Sequence, residues 1–161
     1  MGSPLGRFAS DAHDTLVTVV LRDVPLRIWQ RAAEHHDELM REMALLALAP
    51  DAPDLPQRLT ELVHVLGQQY GAASARPDDA REEALAAGLD RMDLRYEVPR
   101  SAGGDAAAMR AILDEAETYC RDSLLTLAQP QVQADFAQWY VGEFVRQCEG
   151  EEPQPWQGPW D

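Results

Sequence analysis

His35-His36-Asp37-Glu38 places two imidazoles and two carboxylates, the side chains that hold divalent metals, in four consecutive positions. Neighbours on a helix project about 100° apart, so His35 and His36 cannot chelate one ion together. Neither has a histidine four positions away, as HExxH sites require. His36 falls on an apolar stripe and reads as a hydrogen-bonded core histidine, with His35 at the stripe's edge. Asp37 and Glu38 precede Arg41 by four and three residues, an order that supports an exposed helical face. Glu61-Leu62-Val63-His64 is a Glu-x-x-His, which di-iron bundles use to offer two ligands from one helix. Such sites need a second copy and two further glutamates, and no second Glu-x-x-His occurs in the chain. Leu62 and Leu66 also claim the inward side of that helix.

Nucleophilic chemistry fares no better. Cys120 and Cys148, the two cysteines, have no CxxC spacing and read as free, buried thiols of a reducing cytoplasm. A thiolate nucleophile needs a base or positive charge beside it, whereas Cys120 sits mid-helix on an apolar stripe and Cys148 lies among acids. No serine is framed by a nucleophile-elbow glycine pattern. Gly103-Gly104 could offer backbone amides to an anion, but Asp105 opposes one, and a flexible loop with Asp105 as N-cap is the plainer reading. No catalytic residue, metal ligand or cofactor is assigned, and the expectation is a protein that is not an enzyme.

The chain has 161 residues, 28 acidic and 14 basic, for a net charge of -14. Residues 1–100 hold 11 basic against 17 acidic side chains and residues 101–161 hold 3 against 11, so no basic module is hidden. Phosphate-backbone binding depends on basic side chains that displace counterions, which argues against a nucleic-acid partner, and anionic membrane surfaces are disfavoured alike. No apolar run approaches the roughly 20 residues that span a bilayer, and residues 1–14 lack a signal peptide's apolar core. A cytoplasmic protein is expected. The length suits one domain, large enough to bury a core without disulfides.

The elements that would carry these residues read clearly. Thr15 to Arg22, TLVTVVLR, has the β-branched content of a strand and ends at Val24-Pro25. A helix follows from Leu26 to Leu48, its stripe made by Trp29, Ala33, His36, Met40, Met43 and Ala47. Pro50, Pro53 and Pro56 end it. Leu55, Leu59, Leu62, Leu66 and Tyr70 mark a second helix that Gly71 to Ser74 closes, and a shorter third begins at Pro77-Asp78-Asp79 with Leu85, Leu89 and Met92 inward. Leu94 to Val98 is a second strand, ended by Pro99. Met109, Ile112, Leu113, Ala116, Cys120, Leu124 and Leu127 form a long stripe, and the last helix, 132–148, carries Phe136, Trp139, Tyr140, Phe144 and Val145.

The two halves share a plan. A strand ending in Val24-Pro25 leads to a helix closing on Leu45-Leu46-Ala47-Leu48-Ala49-Pro50. A strand ending in Val98-Pro99 leads to one closing on Leu124-Leu125-Thr126-Leu127-Ala128. The expected fold is mainly α: four long helices plus one shorter helix, with a two-stranded β ribbon, from a duplicated strand-helix-helix unit. The domain would span 15–150, with pseudo-repeats 15–71 and 93–150 linked by helix 78–92. Residues 1–14 form a flexible leader and 151–161 a Pro/Trp tail. The aromatics of the last helix, with Trp156 and Trp160 beyond it, exceed what one bundle face can bury, and such surplus marks a partner site as readily as a core. Trp139, Tyr140, Phe144, Trp156 and Trp160 are the candidate contacts, with Glu143 and Arg146 setting charge register. An isologous homodimer through this helix is also open.

The run from Val24-Pro25 through Trp29 to Glu34-His35-His36-Asp37-Glu38-Leu39-Met40-Arg41-Glu42 carries a resemblance, as do Tyr119-Cys120-Arg121, Leu124 to Ala128, Trp139 to Gln147 and Pro155-Trp156. In these stretches, less than half the chain, the sequence resembles small proteins of high-GC Gram-positive bacteria. Those are often encoded near histidine-kinase-like ATP-binding anti-sigma regulators and STAS-domain antagonists. It departs from them at Ser123, where a glycine-rich or acidic turn is expected. The resemblance implies a regulatory, non-enzymatic interaction protein in partner-switching signalling, whose partner is an ATP-binding anti-sigma or STAS protein. A second reading is a small-ligand sensor with a cavity between the halves lined by Trp29, His36, Met40, Tyr119 and Cys120. A third is a metal-dependent enzyme using His35, His36, Glu61 and His64.

Overall fold

The branched residues from Leu16 to Leu21 form β1 (Leu16–Pro25), which pairs antiparallel with β2 (Arg91–Pro99), Leu16 opposite Pro99 and Pro25 opposite Arg91. The computed structural model describes residues 15–122 and 129–160. The N-terminal segment 1–14 and the Leu124–Ala128 helix ending lie outside the described residues. Val19, Leu21, Leu94, Tyr96 and Val98 occupy the buried face of the ribbon, while Thr18, Arg22, Arg95 and Glu97 are exposed. The register slips between Leu21 and Val24, so that Arg22 and Asp23 oppose Asp93 alone. Asp23 takes a left-handed φ of 55° and donates its N–H to the Asp93 carboxylate at 2.8 Å. This bulge resets the alternation, so Leu21 and Val24, three apart, are both fully buried.

The described residues form four helices: α1 (Leu26–Leu46), α2 (Asp54–Ala86), α3 (Ala102–Asp122) and α4 (Gln131–Cys148). The expected mainly helical fold with a two-stranded ribbon is present, but the second and third helices are one. α2 runs 33 residues through Gly71 and Pro77. Gly71 has neither a positive φ nor a neighbour that a Cβ would touch, so it forces no turn. Pro77 gives up a hydrogen bond and crowds the preceding turn. Burial offsets that cost: Pro77 and Ala84 are buried, and the buried Arg81 guanidinium lies 3.4 Å over the Trp29 ring. α2 stops at Gly88, φ 75°, where the Leu89 N–H reaches back to the Ala84 carbonyl at 3.0 Å. Leu89, expected on the inner side of a helix, therefore lies beyond the cap and is exposed, and Met92 belongs to β2.

α1 packs on α2 and α4, α3 packs on α4 and α2, and the ribbon is covered by α2 against β2 and α4 against β1. The buried residues of α1 are Leu26, Ile28, Leu39 and Met43, and Met40 packs half-buried beside Leu39 against the same cluster. Two clusters of buried side chains result. One joins the ribbon to Ile28, Ala102, Phe136, Cys148 and Trp156. The other lies further along the helices, around Leu39, Met43, Leu55, Leu59, Ile112, Ala116 and Cys120. No helix among the described residues is long and apolar enough to cross a membrane.

α3 begins at Ala102, so Gly103 and Gly104 lie inside its first turn and Asp105 is not its N-cap. A Cβ on Gly103 would sit 2.8 Å from the Cβ of Cys148, whereas one on Gly104 meets nothing within 4 Å. Alanine at adjacent glycines should therefore act in opposite directions. Urea denaturation should find Gly104→Ala stabilising by about 0.5–1 kcal/mol and Gly103→Ala destabilising by about 1–3 kcal/mol.

Candidate functional site

The aromatic end of the chain is built around a carboxylate. Glu143 of α4 is 1% exposed. Its Oε2 accepts the Gln147 side-chain N–H at 2.8 Å and the Gln154 main-chain N–H at 2.9 Å, and its Oε1 contacts the Arg146 guanidinium. Arg146 also donates to Glu151 at 2.9 Å and to the Glu152 carbonyl at 2.8 Å. A buried carboxylate is tolerated where opposite charge and N–H donors surround it, and both are present. Gln147 uses the rest of its amide on the ribbon: Oε1 accepts the Val20 N–H and Nε2 donates to the Val20 carbonyl, each at 2.9 Å.

The tail is laid along the same edge. The Trp156 main-chain N–H donates to the Arg22 carbonyl at 3.1 Å, and the Trp139 indole N–H donates to the Gln154 carbonyl at 3.0 Å. The Trp156 ring is buried, edge-on to Phe136 at 5.8 Å and to Trp139 at 5.6 Å. Tyr140 and Phe144 pack on Tyr96, and the Tyr140 hydroxyl donates to that of Tyr96 at 3.1 Å. Burial raises the pKa of both phenols, that of Tyr140 strongly, so both stay neutral at pH 7. Trp160 lies under the Arg91 guanidinium at 5.0 Å. Of the seven residues expected to meet a partner, Glu143 and Trp156 are buried. Trp139, Tyr140, Phe144 and Trp160 are partly buried against the ribbon core, and Arg146 holds the tail. Glu143 and Gln147 stand in line with Phe136 and Tyr140 at helical spacing. Polar residues on an apolar stripe are the signal that could have marked this network, and the reading of Glu143 and Arg146 as partner charges passed over it.

A cavity of about 430 Å³ opens between α1, α3 and α4, with His35, His36, Arg110, Glu117, Gln131 and Gln138 in its walls. His35 Nε2 is buried, 3.9 Å from the Glu117 carboxylate, and has no hydrogen-bond partner among the described residues. Burial lowers the His36 pKa, against the pull of Asp37, so its imidazole is neutral at pH 7. Of the five residues expected to line one cavity, His36 is in this wall. Met40, Tyr119 and Cys120 lie in the helical cluster, and Trp29 lies beneath Arg81. Burial, with Glu117 and Glu42 nearby, raises the Cys120 thiol pKa, the opposite of nucleophile activation.

Glu61 and His64 are exposed on α2, bonded to Gln57 and Gln68. Among the described residues no group of three or more His, Cys, Asp or Glu side chains is placed to hold one metal ion. Comparisons of the chain with protein-family models, curated proteins and solved structures find no match.

Glu143→Ala should remove about 3–5 kcal/mol, because it strands Arg146, Gln147 and the Gln154 N–H together. Chymotrypsin should then trim the chain at Trp156 and Trp160 faster than in the wild type. His36 yields a pH signature. Above the unfolded value of 6.5 its neutral ring costs nothing. As the pH falls below that, the unfolded chain takes up the proton first, and stability drops until the lowered folded pKa is reached. Urea midpoints at pH 7.5 and 5.5 should therefore diverge more in the wild type than in His36→Asn.

Proposed function

We propose that the protein is a non-enzymatic regulatory module that works by binding another protein, in partner-switching signalling of the anti-sigma type. The observation that carries this reading is the far end of α1. Leu45 and Leu48, three residues apart, are 70% and 81% exposed, the highest values for large hydrophobic side chains among the described residues. Apolar side chains grouped at one end of a strongly acidic molecule fit a contact surface. The resemblance of residues 24–42 and 139–147 to proteins encoded near ATP-binding anti-sigma and STAS regulators supplies the class of partner.

The internal duplication belongs to the same proposal. Exchanging the two strand-helix-helix units maps α1 on α2 onto α3 on α4, α1 on α4 onto α3 on α2, and α2 over β2 onto α4 over β1, while the contact of α1 with β1 has no counterpart of the same extent. Antiparallel strands are what a twofold through the ribbon's centre would produce. A second reading, a small-ligand sensor, draws support from the cavity of about 430 Å³ between α1, α3 and α4, a size in the range of ligand sites.

An untagged pull-down from native lysate, with mass spectrometry of the bound proteins, separates the two. Recovery of an ATP-binding anti-sigma or STAS protein is expected. Leu45→Asp with Leu48→Asp should abolish it while leaving far-UV circular dichroism unchanged. A preparation that carries only a small molecule would turn the assignment to the sensor.

A further inference from the structure

The two edges of the ribbon are treated differently. Along an antiparallel strand, residues whose main-chain groups bond the neighbouring strand alternate with residues whose groups point away. On β1, Val20 is of the second kind, and both its main-chain groups are taken by the Gln147 amide. The Arg22 carbonyl on the same edge is taken by Trp156. Val20 is paired with Arg95 and Thr18 with Glu97, so on β2 it is Arg95 and Glu97 whose main-chain groups point outward. Among the described residues neither has a main-chain partner on that side. One edge is closed, and the other stands open with exposed side chains along it.

Those side chains carry a pattern. Alternate positions of β2 read Arg91, Asp93, Arg95, Glu97, so the charge changes sign at each step. A row of this kind is complementary to itself when reversed. Two β2 strands laid antiparallel about a twofold axis at Leu94 set Arg91 opposite Glu97 and Asp93 opposite Arg95, twice each. Every one of the four charges then faces its opposite across the seam. The same register brings the outward main-chain groups of the two strands together. Asp93 and Glu97 already accept bonds from Asp23 and Thr18, and a carboxylate has room for a further donor.

We infer that the open edge of β2 is a docking site for a second copy of this chain, joined antiparallel into a continuous four-stranded sheet in the order β1-β2-β2-β1. The contact is isologous and closes on itself. Its outermost strands are both β1, whose edge Gln147 and Trp156 already occupy, so assembly stops at two chains instead of growing into a fibre. Joining two ribbons also gives each the wider sheet that two strands lack.

Sedimentation of the wild-type chain over a concentration series, at physiological ionic strength, should show a species of twice 17.9 kDa. Amide exchange at Arg95 and Glu97 should slow as concentration rises. Arg95→Glu and Asp93→Arg should each weaken self-association by about tenfold or more, with unchanged far-UV circular dichroism. Mixed in equal amounts, the two variants should associate again, since like rows become opposite rows. The substitutions shift the net charge of -14 by two units in either direction, so both chains stay strongly acidic and bulk attraction cannot account for the rescue. A chain that sediments at 17.9 kDa throughout, with concentration-independent exchange at Arg95 and Glu97, overturns the inference. A dimer that survives both reversals overturns it too, by placing the contact elsewhere.

Discussion

Gln147 sits where a third strand would. Its amide offers one acceptor and one donor to Val20 in the spacing of a peptide group, which fixes the last turns of α4 at the outer edge of β1. With that end fixed, Phe136, Tyr140 and Phe144 are carried over Tyr96 and close the buried face of the ribbon. A two-stranded ribbon is marginal in water unless something covers it, so this pairing and the packing it brings make the ribbon viable. Glu143, one turn back, takes the other Gln147 proton together with the Gln154 N–H, and the tail follows from that bond.

The strands and the helical stripes were legible because they are local. β-branched alternation marked β1, helical spacing marked the inward leucines of α2, and the two Val-Pro steps marked where each strand gives way to the next helix. Local signals also misled. Gly71 to Ser74 and Pro77 carry the residue types of a helix break, but packing against the ribbon and Trp29 outweighs a cost confined to one turn. Along α1 the stripe is rotated slightly: Leu39 is buried, and Met40, about 100° round the helix, packs half-buried against the same cluster.

The functional residues were harder to read because their partners are remote. Gln147 and Val20 are 127 positions apart, and no window of sequence joins them. Glu143 and Arg146, read as charges offered to a partner, are drawn inward by main-chain donors of the tail. His36 lies in the wall of the cavity between α1, α3 and α4, whereas Tyr119 and Cys120 share a helix with that wall but not its side. Most of the ion pairs among the described residues are exposed, of the kind worth about 1 kcal/mol or less. Apart from the pair at Glu143 and the buried Arg81, which bonds Asp78 and stacks on Trp29, charge shapes the surface of this protein more than it holds the fold together.

The two clusters of buried side chains share no member. α1 and α2 run from one to the other, and α2 alone is about 50 Å long at 1.5 Å per residue. Two hydrophobic centres joined by rods can loosen one at a time, each with its own free energy of opening. The centre around Met43 and Leu59 lies toward Leu45 and Leu48 and lacks the amide clamp and docked tail that hold the ribbon end. Fluctuations that widen this end, and rearrange what it presents, need not disturb the sheet.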